Sequence, residues 1–584
     1  MKSRSFITAL LLVGASSLSA ASIQVPQYSI MNMPVSNGYF HGGMLFVDLN
    51  NDGWMDLIVK GRDLNNGWAT DVKAVYNDAG MWSTEASLPN DGQCWERTLE
   101  TIDFNNDGWT DYLLLSSWGY ELYRNNGDGS FAKVENFALD SNISIDGGNG
   151  NDERWYTGLS AVADFNLDGW NDLVVMDGNG NPALHLNNHG DGSFTFSDNS
   201  GLCPQRGGTI AVGDYNNDGY PDLLVNGWND EVGGHCVRIN QNNGDGTFTT
   251  HHPGDAVMGT EKGQTMFVDV NGDGWLDIFV TGEAVADGWN KQALIYVNDK
   301  NGGFSKVDAN LRGTCKSGCE WADVNGDGFI DIIYAGETDN DSRSVVVINE
   351  GELTFSSHED LLGRARGGAV VAAFDSNGNG FPNLSVMGYN DDGGPHFSIW
   401  NGLCNNRYAN ANPNAPANLT ATEADGKVTF KWEPGSDAKT PQEALRYNLY
   451  VKFADGTVYA IVPSDPETGH LRQGNVNAAL TTCQYEMRVD GAQIAEWGVQ
   501  TIDGGKASSA FAKATLDAIQ EQVYPETPRI YVRGRHILST AEGNLTVFDA
   551  NGRQVSPYHL PVGVYVATVT TSHGEVIVNK VIIK

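Results

Sequence analysis

The nine residues DLNNDGWMD (48–56) return as DFNNDGWTD (103–111), DFNLDGWND (164–172), DYNNDGYPD (214–222), DVNGDGWLD (269–277) and DVNGDGFID (323–331). A worn seventh copy, DSNGNGFPN, occupies 375–383. Successive copies start 55, 61, 50, 55, 54 and 52 residues apart. A period near fifty marks a repeat architecture, in which each unit buries its apolar face only against its neighbours.

Each intact copy offers oxygen donors at alternate positions, with glycine at position six for a sharp turn. Calcium takes six to eight oxygen ligands from a flexible loop of this kind. In the first copy Asp48, Asn50, Asp52 and Asp56 supply side-chain oxygens, and Trp54 supplies its carbonyl. The equivalent donors are Asp103, Asn105, Asp107, Trp109 and Asp111, then Asp164, Asn166, Asp168, Trp170 and Asp172. Asp214, Asn216, Asp218, Tyr220 and Asp222 follow, then Asp269, Asn271, Asp273, Trp275 and Asp277, and finally Asp323, Asn325, Asp327, Phe329 and Asp331. No glutamate stands at position twelve, and the flanks (FVD before the first copy, DLIV after it) are strand-like, so the loop is not an EF-hand. An Asx- and glycine-rich turn forms without metal, but three carboxylates in nine residues repel one another unless a cation sits among them. The expected cofactor is Ca²⁺. The seventh copy keeps one carboxylate, Asp375, beside Asn377, Asn379 and Asn383, and is expected to hold little metal or none.

One period holds about four strand signals. In the fourth, TIAVGD leads into the acidic loop, DLLVNG leaves it, VRINQ follows, and the turn NNGDGTF (242–248) ends in a short strand. The second turn recurs as NNGDGSF from Asn125 and NNHGDGSF from Asn187, and is eroded to NDKNGGF from Asn298. Four antiparallel strands in each of seven units predict an all-β fold, a seven-bladed β-propeller. The aromatic residues at position seven, including Phe381 of the worn copy, read as packing between blades. The motif resembles FG-GAP/VCBS-type repeats, the propeller of integrin α-subunits, over roughly 27–405. In that family the loops bind Ca²⁺ and stabilise the blades, and binding functions lie elsewhere.

A segment rich in Asn, Ala and Pro, 406–416, reads as a linker. The strands of 417–515, with Trp432, RYNLYVK and Trp497, predict a β-sandwich that resembles a fibronectin type III domain. The tail, 528–584, contains Asn551-Gly552-Arg553, Gly563-Val564-Tyr565 and a lysine-flanked end, and resembles the C-terminal sorting domain of type IX secretion. That resemblance implies passage through the type IX machinery to the medium or the outer cell surface. Residues 1–21 read as a secretory signal peptide: Lys2 and Arg4, an apolar stretch, then small residues. No later stretch is apolar enough to span a bilayer. The formal charge of −37 argues against a nucleic-acid partner. Three carboxylates in each of six loops make eighteen of the acidic groups, so much of the charge belongs to the loops. Of seven cysteines, Cys315 and Cys319 are close enough in sequence to close a small disulfide loop.

The loops leading into each first strand lie at the end opposite the acidic loops. Each carries a cation, Arg97, Arg154, Arg206, Lys262, Arg312 or Arg366, with His41 in that place in the first unit. Trp95, Trp155, Tyr156, His251 and His252 accompany them, and Trp68, Trp228 and Trp289 come from neighbouring loops. Arginine recognises carboxylate or phosphate through paired donors, and tryptophan supplies stacking area. Local pairing is the competing reading, because Glu96, Glu153 and Glu261 adjoin three of the cations. No G-x-S-x-G, H-E-x-x-H or phosphate loop is present. The expected role is therefore non-enzymatic binding or adhesion at the bacterial surface, with a glycan or protein ligand. Two alternatives stand beside it. One is a polysaccharide lyase using Arg154 with Tyr156 or His41 with Lys262, and the other is a purely structural surface protein.

Overall fold

The computed structural model describes residues 27–30, 39–63, 69–90, 98–116, 119–139, 160–176, 182–254, 257–359, 361–389, 395–403, 409–489, 492–515, 530–533, 536–539, 543–557, 560–571 and 576–583. Among these there is no α-helix, and all regular structure beyond two 3-10 turns is antiparallel β-sheet. The first 21 residues, with Arg97, Arg154, Trp68, Trp95, Trp155, Tyr156, Cys94 and Cys404, lie outside the described set.

Seven four-stranded sheets follow the seven copies of the motif. The first comprises Tyr39–Val47, Asp56–Asp63, Ala69–Asp78 and Met81–Ser87, each pairing with the next. In every sheet the acidic nonapeptide joins strand one to strand two. The first strands neighbour one another in order: Tyr39–Val47, Thr98–Ile102, Ser160–Ala163, Arg206–Gly213, Thr265–Val268, Cys315–Ala322, Arg366–Phe374, and then Tyr39–Val47 again. The seventh sheet borrows its outer strand from the start of the chain. Gln27–Ile30 pairs with Pro395–Leu403, from Gln27 opposite Leu403 to Ile30 opposite Trp400.

The strands are apolar on both faces because each sheet is covered on both sides. Leu57, Ile58 and Val59 are fully buried in succession, as are Leu223, Leu224 and Val225. The second strands thus read as continuous apolar runs, without the alternation of a half-solvated sheet. Cys315 opens the strand Cys315–Ala322 and Cys319 lies midway along it, opposite Glu337 and Tyr334 respectively, and both are free thiols. The expected disulfide between them does not form, because an extended strand carries residues four apart well beyond bonding reach. Cys203, Cys236 and Cys483 are also free.

Residues 417–515 form a three-stranded and a four-stranded sheet, whose faces meet at Phe430–Trp497 (4.8 Å between ring centroids) and Trp432–Tyr447 (5.8 Å). Arg446–Phe453 does not alternate as its sequence suggests. Tyr447, Leu449 and Val451 face the core, and Arg446, Asn448 and Tyr450 are buried as well. Asn448 is covered by the segment it bonds, Val462 O and Ser464 Oγ, and Tyr450 by Phe511.

This two-sheet unit lies against the acidic-loop end of the seven sheets. Its core residues belong to one apolar cluster with Phe46, Met266, Trp321 and Ala372 of the first strands. Backbone bonds pin it there: Asp48 N–H to Arg472 O (2.9 Å), Gly474 N–H to Phe46 O (2.9 Å), Asp323 N–H to Gly504 O (2.9 Å) and Val458 N–H to Asn106 O (3.0 Å). Two buried cations lie over the Trp321 ring. Lys506 Nζ stands 4.8 Å and the Arg446 guanidinium 5.1 Å from its ring, while Lys506 pairs with Glu320 at 3.1 Å. The segment read as a linker is tied on both sides, with Asn410 N–H donating to Gly380 O (2.8 Å) and Asn410 Nδ2 to Asp503 (2.7 Å).

The tail is a separate small β-unit with its own core of Ile530, Ile537, Val547, Tyr565, Ala567 and Val581. Its other face leaves Val562, Val564, Val576, Val578 and Ile582 exposed.

Candidate functional site

The six intact loops share one hydrogen-bond pattern, clearest in the fourth. Asp214 at position one accepts the N–H groups of Asp218 (3.1 Å) and Gly219 (2.9 Å). Asn216 accepts from Asp218 N–H, and Asp218 accepts from Tyr220 N–H (3.0 Å). Asp222 at position nine accepts from Tyr215 N–H (3.2 Å) and Asn242 N–H (2.8 Å). Position four turns left-handed (Asn51, Asn106, Leu167 and Asn217 at φ 54–60°), and the position-six glycines lie at φ 81–95°. Asparagine tolerates that region and glycine occupies it freely, which is why the motif reads Asn-Asp-Gly. One oxygen from each of Asp214, Asp218 and Asp222 falls within 4.8 Å of the others.

Burial and crowding act on these acids. Burial pushes Asp56 up to about 8, Asp103, Asp214 and Asp323 up to about 7 and Asp269 up to about 6, while neighbouring carboxylates also raise them. Asp111, Asp172, Asp222, Asp277 and Asp331 are driven well above the usual carboxylate range, first by burial and then by the other acids of the same loop.

The seventh loop keeps the turn with amides. Asp375 accepts from Asn379 and Gly380 N–H, and Asn383 accepts from Ser376 N–H. Three amide groups converge on one acceptor, Asn401 Oδ1: Asn377 at 2.7 Å, Asn383 at 3.0 Å and Asn379 at 3.3 Å. Donated N–H groups fill the centre of this loop, where the others crowd carboxylates.

Sequence reading missed a second series. The first residue of each second turn, between the third and fourth strands (Asn77, Asn125, Asn187, Asn242, Asn298 or Asn349), is buried and reaches into the sheet before it. Asn349 Nδ2 donates to Ile330 O in its own loop and to Val270 O in the preceding one, and Asn77 Nδ2 donates to Ser376 O of the seventh sheet. The signal was visible as the leading Asn of NNGDG, but its partner lies some 80 residues away in sequence. The position-seven aromatics were expected between blades, but several pack beneath the turns of their own sheets: a Cβ on Gly127 would meet the Trp109 ring at 2.7 Å, and one on Gly351 the Phe329 ring at 3.0 Å.

At the opposite end, the side chains of Arg206, Arg366 and His41 lie outside the description, although their backbones sit in first strands. Lys262 is held by Glu261 (2.8 Å) and Glu283 (3.0 Å), and Arg312 lies near Glu359 (3.7 Å) and Asp341 (3.8 Å). These two cations have local carboxylate partners. Beside them Trp289 is 53% exposed, at φ 68°, with Lys262 Nζ 5.8 Å from its ring. Trp228 packs edge-on to His235, which faces Glu261 at 3.4 Å. A cavity of about 180 Å³ lies among the first strands, lined by residues such as Thr101, Gln264 and Glu320, and on the acidic-loop side by 473–475, 477 and 478 of the two-sheet unit.

Residues 103–152, 164–225, 269–334 and 323–386 match the FG-GAP-like repeat family. The chain carries FG-GAP-like repeats. No curated protein matches it by sequence. Solved structures similar to it include an Agrocybe aegerita lectin described as recognising non-reducing terminal N-acetylglucosamine (20% identity, TM-score 0.37, covering 56% of this chain and 82% of the lectin). A fungal alcohol oxidase of the AA5 family aligns at 11% identity and TM-score 0.45, over 84% and 99% of the two chains. The biofilm matrix protein Bap1 of V. cholerae aligns at 11% and 0.31, over 96% and 84%.

Proposed function

We propose that the FG-GAP-like repeats build a calcium-stabilised seven-bladed β-propeller, that 417–515 is a fibronectin type III-like sandwich, and that the whole is a non-enzymatic binding module exported to the bacterial surface. The observation that carries the binding role is the covering of one end. The two-sheet unit occupies the acidic-loop end, so among the described residues the end bearing Trp289 and the loops into the first strands is not covered by it.

The donor set supports calcium. Hard carboxylate, amide and carbonyl oxygens stand at alternate positions, and one oxygen from each of three fourth-loop acids already lies within 4.8 Å of the others. A bound Ca²⁺ adds positive charge inside the loops to what Arg472, Arg446 and Lys439 lend Asp103, Asp269 and Asp323 from the two-sheet unit. Asp323→Ala is expected to cost one bound ion and about 2.7 kcal/mol at a hundredfold excess of calcium over Kd. Asp375→Ala is expected to cost no ion, because amides satisfy its loop. Equal ion counts in the two variants, by mass spectrometry under native conditions, would contradict the assignment.

The ligand best supported is a glycan rather than a simple anion, since Lys262 and Arg312 already have carboxylate partners while the Trp289 side chain is more than half exposed. An exposed tryptophan in left-handed backbone is a costly arrangement that points to use. In a glycan and host-protein array, Trp289→Ala should weaken the strongest hits about tenfold or more. The pair Arg206→Ala with Arg366→Ala tests the remaining cations. Unchanged binding of every hit by both variants removes this end from the function.

Export rests on the leader and the tail. The exposed apolar strip of the tail is suited to docking on secretion machinery. Deleting 528–584 should leave calcium binding intact and strand the protein inside the outer membrane. Normal release of the truncated chain, read by cell fractionation, argues against the sorting assignment.

A further inference from the structure

The two-sheet unit does more than cover the acidic loops, since two of its hydroxyls reach the position-one carboxylates. Thr481 Oγ1 lies 2.6 Å from Asn217 Oδ1 and 3.3 Å from Asp214 Oδ2. The Tyr485 hydroxyl lies 3.5 Å from Asp164 Oδ2 and 3.3 Å from the Tyr459 hydroxyl. Tyr485 and Tyr459 are 3% and 1% exposed, so water does not compete for these groups. Among the described residues, the other position-one carboxylates Asp48, Asp103, Asp269 and Asp323 accept backbone N–H groups but no side-chain hydroxyl.

We infer that Thr481 and Tyr485 are positioning residues of the fourth and third metal loops, which makes those two sites composite and their calcium affinity dependent on the docked two-sheet unit. The inference rests on the calcium reading given above. Its chemistry is that of an outer partner on a ligand carboxylate. Each position-one Asp already accepts two loop N–H groups; Tyr485 offers its proton to Asp164, while Thr481 gives its single proton to Asn217 Oδ1 at the shorter distance and lies against Asp214, and both cover the outer side of the carboxylate from solvent. Removing such partners typically costs ten- to a hundredfold in metal affinity. In the fourth loop the effect extends further. Thr481 holds Asn217, whose Nδ2 donates to Gly274 O in the fifth loop at 3.0 Å, so one hydroxyl steadies a strut between two adjacent sites. Coupling of this kind is reciprocal: whatever docking adds to calcium affinity, calcium adds to docking.

The experiment is calorimetric titration of Ca²⁺ into the calcium-stripped full chain, with the bound-ion count checked by native mass spectrometry. The variants are Thr481→Val, Tyr485→Phe, their combination, and Thr481→Ser as the hydroxyl-retaining control. The expected result for the double variant is about tenfold weaker binding at two sites, with the other four unchanged, and Thr481→Ser matching the wild type. Superimposable isotherms overturn the inference. So does a uniform weakening of all sites, or Thr481→Ser failing as badly as Thr481→Val, because either outcome marks a general packing role. If the double variant does not fold, Tyr485→Phe alone, which keeps the ring, gives the same reading for one site. A wild-type chain that takes up no calcium overturns the calcium reading itself, a result distinguishable from all of these.

Discussion

EGTA lowers the melting temperature of this protein by tens of degrees, and excess Ca²⁺ restores it: that is the largest effect expected. An ion that binds only the folded chain stabilises it by about 2.7 kcal/mol per site at a hundredfold excess over Kd, and six sites act on one cooperative structure. The pH dependence should invert with the ion. In the stripped protein Asp56 titrates at about 8, Asp103, Asp214 and Asp323 at about 7, and Asp269 at about 6, all raised from 3.8 by burial. The folded chain then binds more protons than the unfolded one between those values, so these groups stabilise it at low pH and stop doing so as pH rises from about 4 to 8. The stripped protein should melt higher at pH 5 than at pH 8. The loaded protein should do the opposite, since calcium needs ionised carboxylates. Identical melting curves with EGTA and with excess Ca²⁺ at both pH values would sink the metal reading.

Asn349→Ala should destabilise the protein by about 3–9 kcal/mol, far more than an exposed asparagine substitution. The side chain is fully buried; its Nδ2 bonds Val270 O and Ile330 O, and its Oδ1 accepts from Gly351 N–H. Truncation leaves three backbone groups without partners in a place water does not reach, at about 1–3 kcal/mol each. Asn349→Asp should not rescue it, because a carboxylate cannot donate to either carbonyl and adds charge beside Asp331. Denaturant unfolding of both variants decides the matter. A loss below about 1 kcal/mol means that the carbonyls find other partners and that the series does not hold adjacent sheets together.

The repeat was legible because its chemistry is local. Nine residues contain the turn, the donors and the strand boundaries, so the seven sheets and the acidic loops followed from spacing alone. What escaped was whatever depends on contacts between distant segments. The Asn349–Val270 bond spans 79 residues, and Lys506 meets Glu320 and Trp321 from the far side of the chain. The segment 406–416 has the composition of a free linker, yet Asn410 is bonded on both sides. Lys262 was half legible: pairing with its neighbour Glu261 was the competing reading and forms at 2.8 Å, while Glu283 joins it from the next strand, 21 residues on.

The strand Gln27–Ile30 is among the first segments made, yet its partner Pro395–Leu403 is nearly 370 residues later. Until residue 403 arrives, Gln27–Ile30 is a strand without a sheet, and Pro395–Leu403, once made, is an edge until the two meet. Each is a template for any strand that meets it. At high local concentration the nearest complement is the same segment of another molecule, so premature encounter leads to strand-exchanged dimers or open chains of molecules. Trimming the first strand away has the same consequence permanently. Losing Gln27–Ile30 would leave Pro395–Leu403 as the open outer edge of a three-stranded seventh sheet.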